Sequence, residues 1–123
     1  MSFIRTMRGD IPPEALGVTY AHEHLLCRPA YWQERGEEDL ILDDFQKTKA
    51  DMLAFQALGG QSIVDATAID YGRDPDAVRR LSLETGIHVV ATAGFNKSFL
   101  WAAKMPGEER TYREWIENAS VED

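Results

Sequence analysis

The 123-residue chain has one cysteine, three histidines and no apolar run approaching the roughly 20 residues of a membrane-spanning helix. The lone Cys27 cannot close an internal disulfide, which fits a reducing, cytoplasmic compartment. Basic residues are also few: 13 Lys and Arg stand against 21 Asp and Glu, for a formal net charge of −8. Nucleic acids and anionic membranes are held by clustered Lys and Arg, so neither is an expected partner. The opening Met1-Ser2-Phe3-Ile4-Arg5 lacks the apolar core of a secretion signal. No internal repeat or low-complexity tract is visible. What remains is an ordinary globular composition, 44% hydrophobic and 28% charged, at a length suited to one small domain.

Two of the three histidines stand two apart in Gly17-Val18-Thr19-Tyr20-Ala21-His22-Glu23-His24-Leu25-Leu26. Within it, Val18 to Leu25 reads as a buried strand that carries the two histidines. Residues i and i+2 of a strand share a face, so His22 and His24 can present two imidazoles to one point. On a helix they would lie roughly 200° apart. Two neutral imidazoles on one strand make half of a transition-metal site.

The rest of the chain alternates strand and helix signals. Phe3 to Met7 reads as a strand, Gly9-Asp10 as a turn, and Pro12-Pro13 as a break in pairing. A small hairpin before the main fold is expected. Cys27 to Leu42, with Tyr31, Trp32 and Gly36, is polar and irregular. Asp43 is the expected N-cap of the next helix, with Gln46 in capping-box position. Phe45, Thr48, Met52, Phe55 and Leu58 mark its inward face, and Gly59-Gly60 its end. Ser62 to Thr67 is the next strand. Asp74 and Pro75 open a second helix, with Val78 and Leu81 inward and Gly86 as its stop. Ile87 to Ala93 is a third strand. Ser98 to Lys104 is expected to form a helical turn, and Thr111 to Ala119 a final short helix. Apolar strands alternating with helices imply parallel βαβ units, covered on both faces. Such units build an open doubly wound sheet or part of a (β/α)₈ barrel, and a complete barrel needs roughly 250 residues.

The pattern Ile4-x-Thr6-x-x-Gly9-x-Ile11-x-Pro13-x-x-Leu16-Gly17-x-Thr19-x-x-His22-Glu23-His24-Leu25 resembles the opening of the phosphotriesterase family, in the amidohydrolase superfamily. Asp65-Ala66-Thr67 with Gly72-Arg73-Asp74 is similar to that family's second strand and following loop. Thr85-Gly86-Ile87 through Ala93-Gly94-Phe95 is similar to its third strand. The resemblance implies the α/β class: the N-terminal part, about three βα units, of a (β/α)₈ barrel preceded by a short hairpin. Residues 1–123 would form a single partial domain. It further implies two divalent metal ions, usually zinc, at the C-terminal ends of the strands, with the first-strand pair as ligands. That pair maps onto His22 and His24. The implied activity is hydrolysis of a small-molecule phosphotriester, lactone or carboxylic ester by metal-activated hydroxide. The family's remaining ligands belong to later strands, so the 123-residue chain alone is expected to be inactive. The alternative is a truncated, non-catalytic fragment serving as a weak metal-binding or interaction module. An open sheet edge would make self-association an expected behaviour. An open flavodoxin-like domain would instead need a phosphate loop after its first strand, and Cys27-Arg28-Pro29 is a poor one.

Other side chains carry competing readings. Glu23 points to the opposite face of its strand from the histidines and suits a structural bond better than a ligand role. Asp65 lies in an apolar strand, where an unpaired carboxylate is costly. It either orients a ligand histidine or serves as a buried structural acceptor. Arg73 binds an anion or pairs with Asp70 or Asp74. Lys97, after the third strand, contacts an anionic substrate group, substitutes for the family's bridging lysine, or is a solvated loop residue. His88 starts its strand, away from the catalytic end, and is expected to be structural. Trp101 and Trp115 read as packing residues, and Cys27 has no base nearby to activate it.

Overall fold

The computed structural model describes residues 2–29, 32–36 and 38–120, and only the backbone of Glu34. Tyr31 lies outside the described residues. The chain opens with an antiparallel hairpin of β1 (Ile4–Thr6) and β2 (Gly9–Ile11). Its turn falls at Met7-Arg8, two residues earlier than Gly9-Asp10. Gly9 instead starts the return strand, and Thr6 Oγ1 closes the turn on the Gly9 carbonyl at 2.7 Å.

The main sheet has three parallel strands in the order β3 (Thr19–Glu23), β4 (Ser62–Asp65), β5 (His88–Ala91). Parallel neighbours need a crossover between them. Helix α1 (Trp32–Arg35) and α2 (Phe45–Ala57) lie between β3 and β4, and α3 (Pro75–Thr85) lies between β4 and β5. Helix α4 (Tyr112–Asn118) follows a 3₁₀ turn at Ser98–Ala102. Among the described residues no helix is long and apolar enough to cross a membrane.

The helix ends follow from local chemistry. Asp74 caps α3 by accepting from the Ala77 N–H at 3.0 Å, with Pro75 in the first turn and Gly86 left-handed at the C-cap. Thr111 and Glu114 form the reciprocal capping box of α4. The cap of α2 is Asp44, not Asp43. Asp44 accepts from Gln46 and Lys47 at 3.0 and 3.1 Å, while Asp43 is drawn into an ion pair with Arg28. Leu58, expected inward, is 90% exposed because α2 ends at Ala57 and the chain turns away there.

The core lies between one face of the sheet and helices α2 and α3. It comprises Leu25, Leu26, Met52, Ile63, Val78, Leu81, Ile87 and Val89. The hairpin seals one end: Met7 packs on this core, and its N–H donates to the Val89 carbonyl at 2.8 Å. The opposite face is not fully covered, since Val64 and Val90, paired in register, are only half-buried. Strand β3 departs furthest from the expected buried strand. Among the described residues it pairs on one side only, and Val18 and Tyr20 are 60% and 51% exposed.

Candidate metal centre

Strand β3 runs in step with β4 at Thr19–Ser62 and Tyr20–Ile63, then slips before Glu23–Asp65. Three residues of β3 are therefore matched by two of β4, as in a β-bulge. Under strict alternation Tyr20, His22 and His24 would share one face. Tyr20, however, packs toward α2, with its ring centroid 6.2 Å from that of Phe55. The extra residue reverses the phase: Glu23 returns to the side of Tyr20, and exposed His22 falls on the other side. His24 lies just beyond the strand. The Glu23 carboxylate accepts its backbone N–H at 2.8 Å, so Glu23 is a local backbone clamp.

The two imidazoles meet edge to face, with centroids 5.5 Å apart and planes at 76°. Two imidazoles on one zinc, with Zn–N of about 2.0–2.1 Å and a tetrahedral angle, hold their centroids about 5.2 Å apart. The observed centroid spacing is close to that distance. The pair supplies two donors. Among the described residues no group of three or more His, Cys, Asp and Glu side chains converges. Zinc sites take three or four protein ligands, so two imidazoles alone fall short of a full donor set.

His24 is held by residues at the C-terminal end of β4. Its Nδ1 lies 3.0 Å from Thr67 Oγ1, and Thr67 Oγ1 lies 2.6 Å from Asp65 Oδ1. The Thr67 N–H reaches the same carboxylate oxygen at 3.1 Å, which makes a local Asx turn. Thr67 and Asp65 are both fully enclosed. Burial raises the Asp65 carboxyl above its ordinary range, opposed by bonds from Thr67 and the Leu25 backbone and by the nearby His24. Tyr71 stacks on the His24 ring, with centroids 5.7 Å apart at 24°. Tyr71 belongs to a 3₁₀ turn, Ile69–Tyr71, capped by Gly72. At Gly72 the backbone is left-handed, φ 75°, and a Cβ would stand 2.6 Å from the Arg28 carbonyl. Arg28 N–H donates to the Tyr71 carbonyl at 2.8 Å, so this close approach joins the loops after β3 and β4.

Arg73 does not pair with Asp70 or Asp74. Its guanidinium donates at 2.6 Å to the carbonyl of Thr92, the residue just beyond β5. Asp74 is occupied as a helix cap, and both oxygens of fully buried Asp70 accept the Asn96 N–H at 3.0 Å. Arg73 and Asp70 thus tie the loop after β4 to the loop after β5. Lys97 sits on the latter loop, exposed, with its ammonium 5.8 Å from the Phe99 ring centroid. Phe95 gathers Trp101, Tyr112 and Trp115 around it at 5.5–6.3 Å, so both tryptophans are packing residues. Burial pushes the Cys27 thiol up to about 12, which leaves it inert as a nucleophile.

His88 lies at the far end of the sheet. Its Nδ1 is 3.0 Å from Arg8 Nη2, and a guanidinium can only donate, so Nδ1 accepts. A cavity of about 440 Å³ between β3 and α2 is lined by His24, Glu23, Tyr20 and Phe55 among others. A larger one, about 620 Å³, lies around Arg28, Trp32 and Lys104 and includes neither histidine of the pair.

Pattern reading left Thr67 without a role and took Asp70 only as a partner for Arg73. The Asp-x-Thr spacing after an apolar strand is an Asx-turn signal and could have marked Thr67. Nothing local marks Asp70 as the partner of Asn96, 26 residues on.

The sequence matches the profile of the phosphotriesterase family over residues 2–115. The fold superimposes on the crystal structure of a lactonase from Listeria monocytogenes with a TM-score of 0.86. The two are 58% identical, over 96% of this chain and 38% of that one. An organophosphorus hydrolase from Deinococcus radiodurans matches with a TM-score of 0.61 and 31% identity, over 76% of this chain and 28% of that one. Human N-acetyltaurine hydrolase is 30% identical over 75% of this chain and 34% of its own length. The chain thus spans about a third of the length of these relatives. The chain belongs to the phosphotriesterase family, and its three βα units are the N-terminal part of that family's (β/α)₈ barrel.

Proposed function

We propose that the chain contributes the first-strand metal ligands of a zinc-dependent hydrolase acting on small-molecule esters, with a lactone as the substrate class. The observation that carries this reading is the His22–His24 pair, 5.5 Å apart at the C-terminal end of a parallel strand, in a chain of this family. The lactone preference rests on the 58% identity to a lactonase, against 31% to an organophosphorus hydrolase. Bound zinc would supply Lewis acidity and a hydroxide at neutral pH. His22 and His24 would hold it. Thr67 and Tyr71 fix the His24 ring, while Asp70 and Arg73 hold the loops at that end of the sheet.

Metal analysis of the purified chain tests the ligand assignment. The wild type is expected to retain zinc after gel filtration, and the His22→Ala/His24→Ala variant to lose it. Equal zinc in both refutes the assignment. A second reading, a metal-binding segment without turnover of its own, is favoured because only two donors converge among the described residues. Lactone hydrolysis by the 123-residue chain separates the two. A rate above that of free zinc in buffer, lost in the double variant, decides for an enzyme at this length. No excess decides for the second reading.

A further inference from the structure

We infer that Thr67 is a positioning residue that locks the His24 imidazole as its Nδ1–H tautomer, leaving Nε2 as the nitrogen with a free lone pair. The inference deepens the metal-site reading and rests on it only for the effect on metal affinity. The Thr67 hydroxyl has one proton and two neighbours, Asp65 Oδ1 at 2.6 Å and His24 Nδ1 at 3.0 Å. A carboxylate only accepts, so the hydroxyl proton is committed to the shorter bond, toward Asp65. Thr67 Oγ1 then has only lone pairs to offer His24, and Nδ1 must carry the proton. A neutral imidazole has one N–H, so Nε2 is bare.

Three further features make the lock rigid. Asp65 Oδ1 also accepts the Thr67 backbone N–H, so carboxylate and hydroxyl are held in one turn. Both residues are enclosed, which excludes water as a competing partner. Tyr71 stacks on the imidazole and restricts its rotation. His88, by contrast, accepts from Arg8 at Nδ1 and has the opposite tautomer, which provides an internal reference.

The test uses the ¹⁵N-labelled, metal-free chain at about pH 8, above the ordinary histidine range. Long-range proton–nitrogen spectra distinguish protonated from bare ring nitrogens, and His24→Ala assigns the signals. The wild type should show His24 protonated at Nδ1 and His88 at Nε2. Thr67→Val, which keeps shape and loses the hydroxyl, should shift His24 toward mixed tautomers, and Thr67→Ser should restore it. In competition with a chelating dye, Thr67→Val should weaken zinc binding by roughly 10- to 100-fold, with Thr67→Ser near wild type. A wild-type His24 protonated at Nε2, or a Thr67→Val spectrum unchanged at His24, overturns the inference. Should Thr67→Val fail to fold, the wild-type and Thr67→Ser spectra still decide. The spectra are taken without metal, so failure of the lock and failure of the metal site are read separately.

Discussion

Replacing Gly72 by alanine should damage both stability and the His24 environment, and the size of the effect can be worked from its geometry. Gly72 and Gly86 are both left-handed, with φ 75° and 79°. An L-residue in the left-handed region costs about 1–2 kcal/mol, partly offset by about 0.4–1 kcal/mol from a less flexible unfolded chain. Gly86→Ala should stop there, because its new Cβ meets only the Gln56 amide at 3.6 Å, an ordinary contact. Gly72→Ala must also push back the Arg28 carbonyl from 2.6 Å. Overpacking of this kind costs about 1–3 kcal/mol. It also stretches the 2.8 Å bond between Arg28 N–H and the Tyr71 carbonyl, worth about 1 kcal/mol. Gly72→Ala should therefore lose about 2–4 kcal/mol and Gly86→Ala about 1 kcal/mol. Urea denaturation with unchanged slope measures both. The displaced Tyr71 should shift the His24 ring signals in Gly72→Ala and leave them alone in Gly86→Ala. Equal losses in the two variants, or an undisturbed His24 in Gly72→Ala, would refute the reasoning.

Two further outcomes are expected. Asp44→Ala should cost about 1 kcal/mol in thermal or chemical unfolding, as the loss of an N-cap does. Asp43→Ala, one residue away, removes only a surface ion pair with Arg28, both side chains about half exposed, and should cost less, about 0–1 kcal/mol. A reversed order would restore Asp43 as the cap. The second outcome concerns pH. Burial and then Arg8 hold His88 below the ordinary histidine range, so the folded chain binds fewer protons there than the unfolded chain. Its contribution is present above the ordinary histidine value and is lost as pH falls through the lowered one. The stability difference between wild type and His88→Gln should thus shrink from pH 7 to pH 5. Unfolding curves showing a constant difference would contradict this.

Much of the fold was legible because it is written in short-range chemistry. Asp74-Pro75 and Gly86 bracket α3, Thr111 with Glu114 opens α4, and the β-branched runs at Ser62 and Ile87 become β4 and β5. The histidine pair was legible through its frame, a pattern extending over the hairpin and the first parallel strand. The errors fall where two local answers compete and a distant partner chooses. Asp43 and Asp44 are both plausible caps, and Arg28 takes one of them. Arg73 has acidic neighbours on both sides in sequence, yet those carboxylates are already committed, to Asn96 and to the α3 N-terminus.

The sequence by itself determined the order of strands and helices, the family and the two imidazoles, since each depends on residue type at fixed short spacing. The tertiary structure decided where those imidazoles stand and what they touch. The slip between β3 and β4 turns His22 away from the side where Tyr20 meets Phe55, and a change of strand phase is visible only once two strands are paired. The Asp65–Thr67–His24 chain spans 43 residues between Thr67 and His24, and only the parallel pairing of β3 with β4 brings its ends within 3.0 Å. The proton on His24 is therefore set by a neighbour in space, because a hydroxyl's single proton goes to the stronger acceptor it touches.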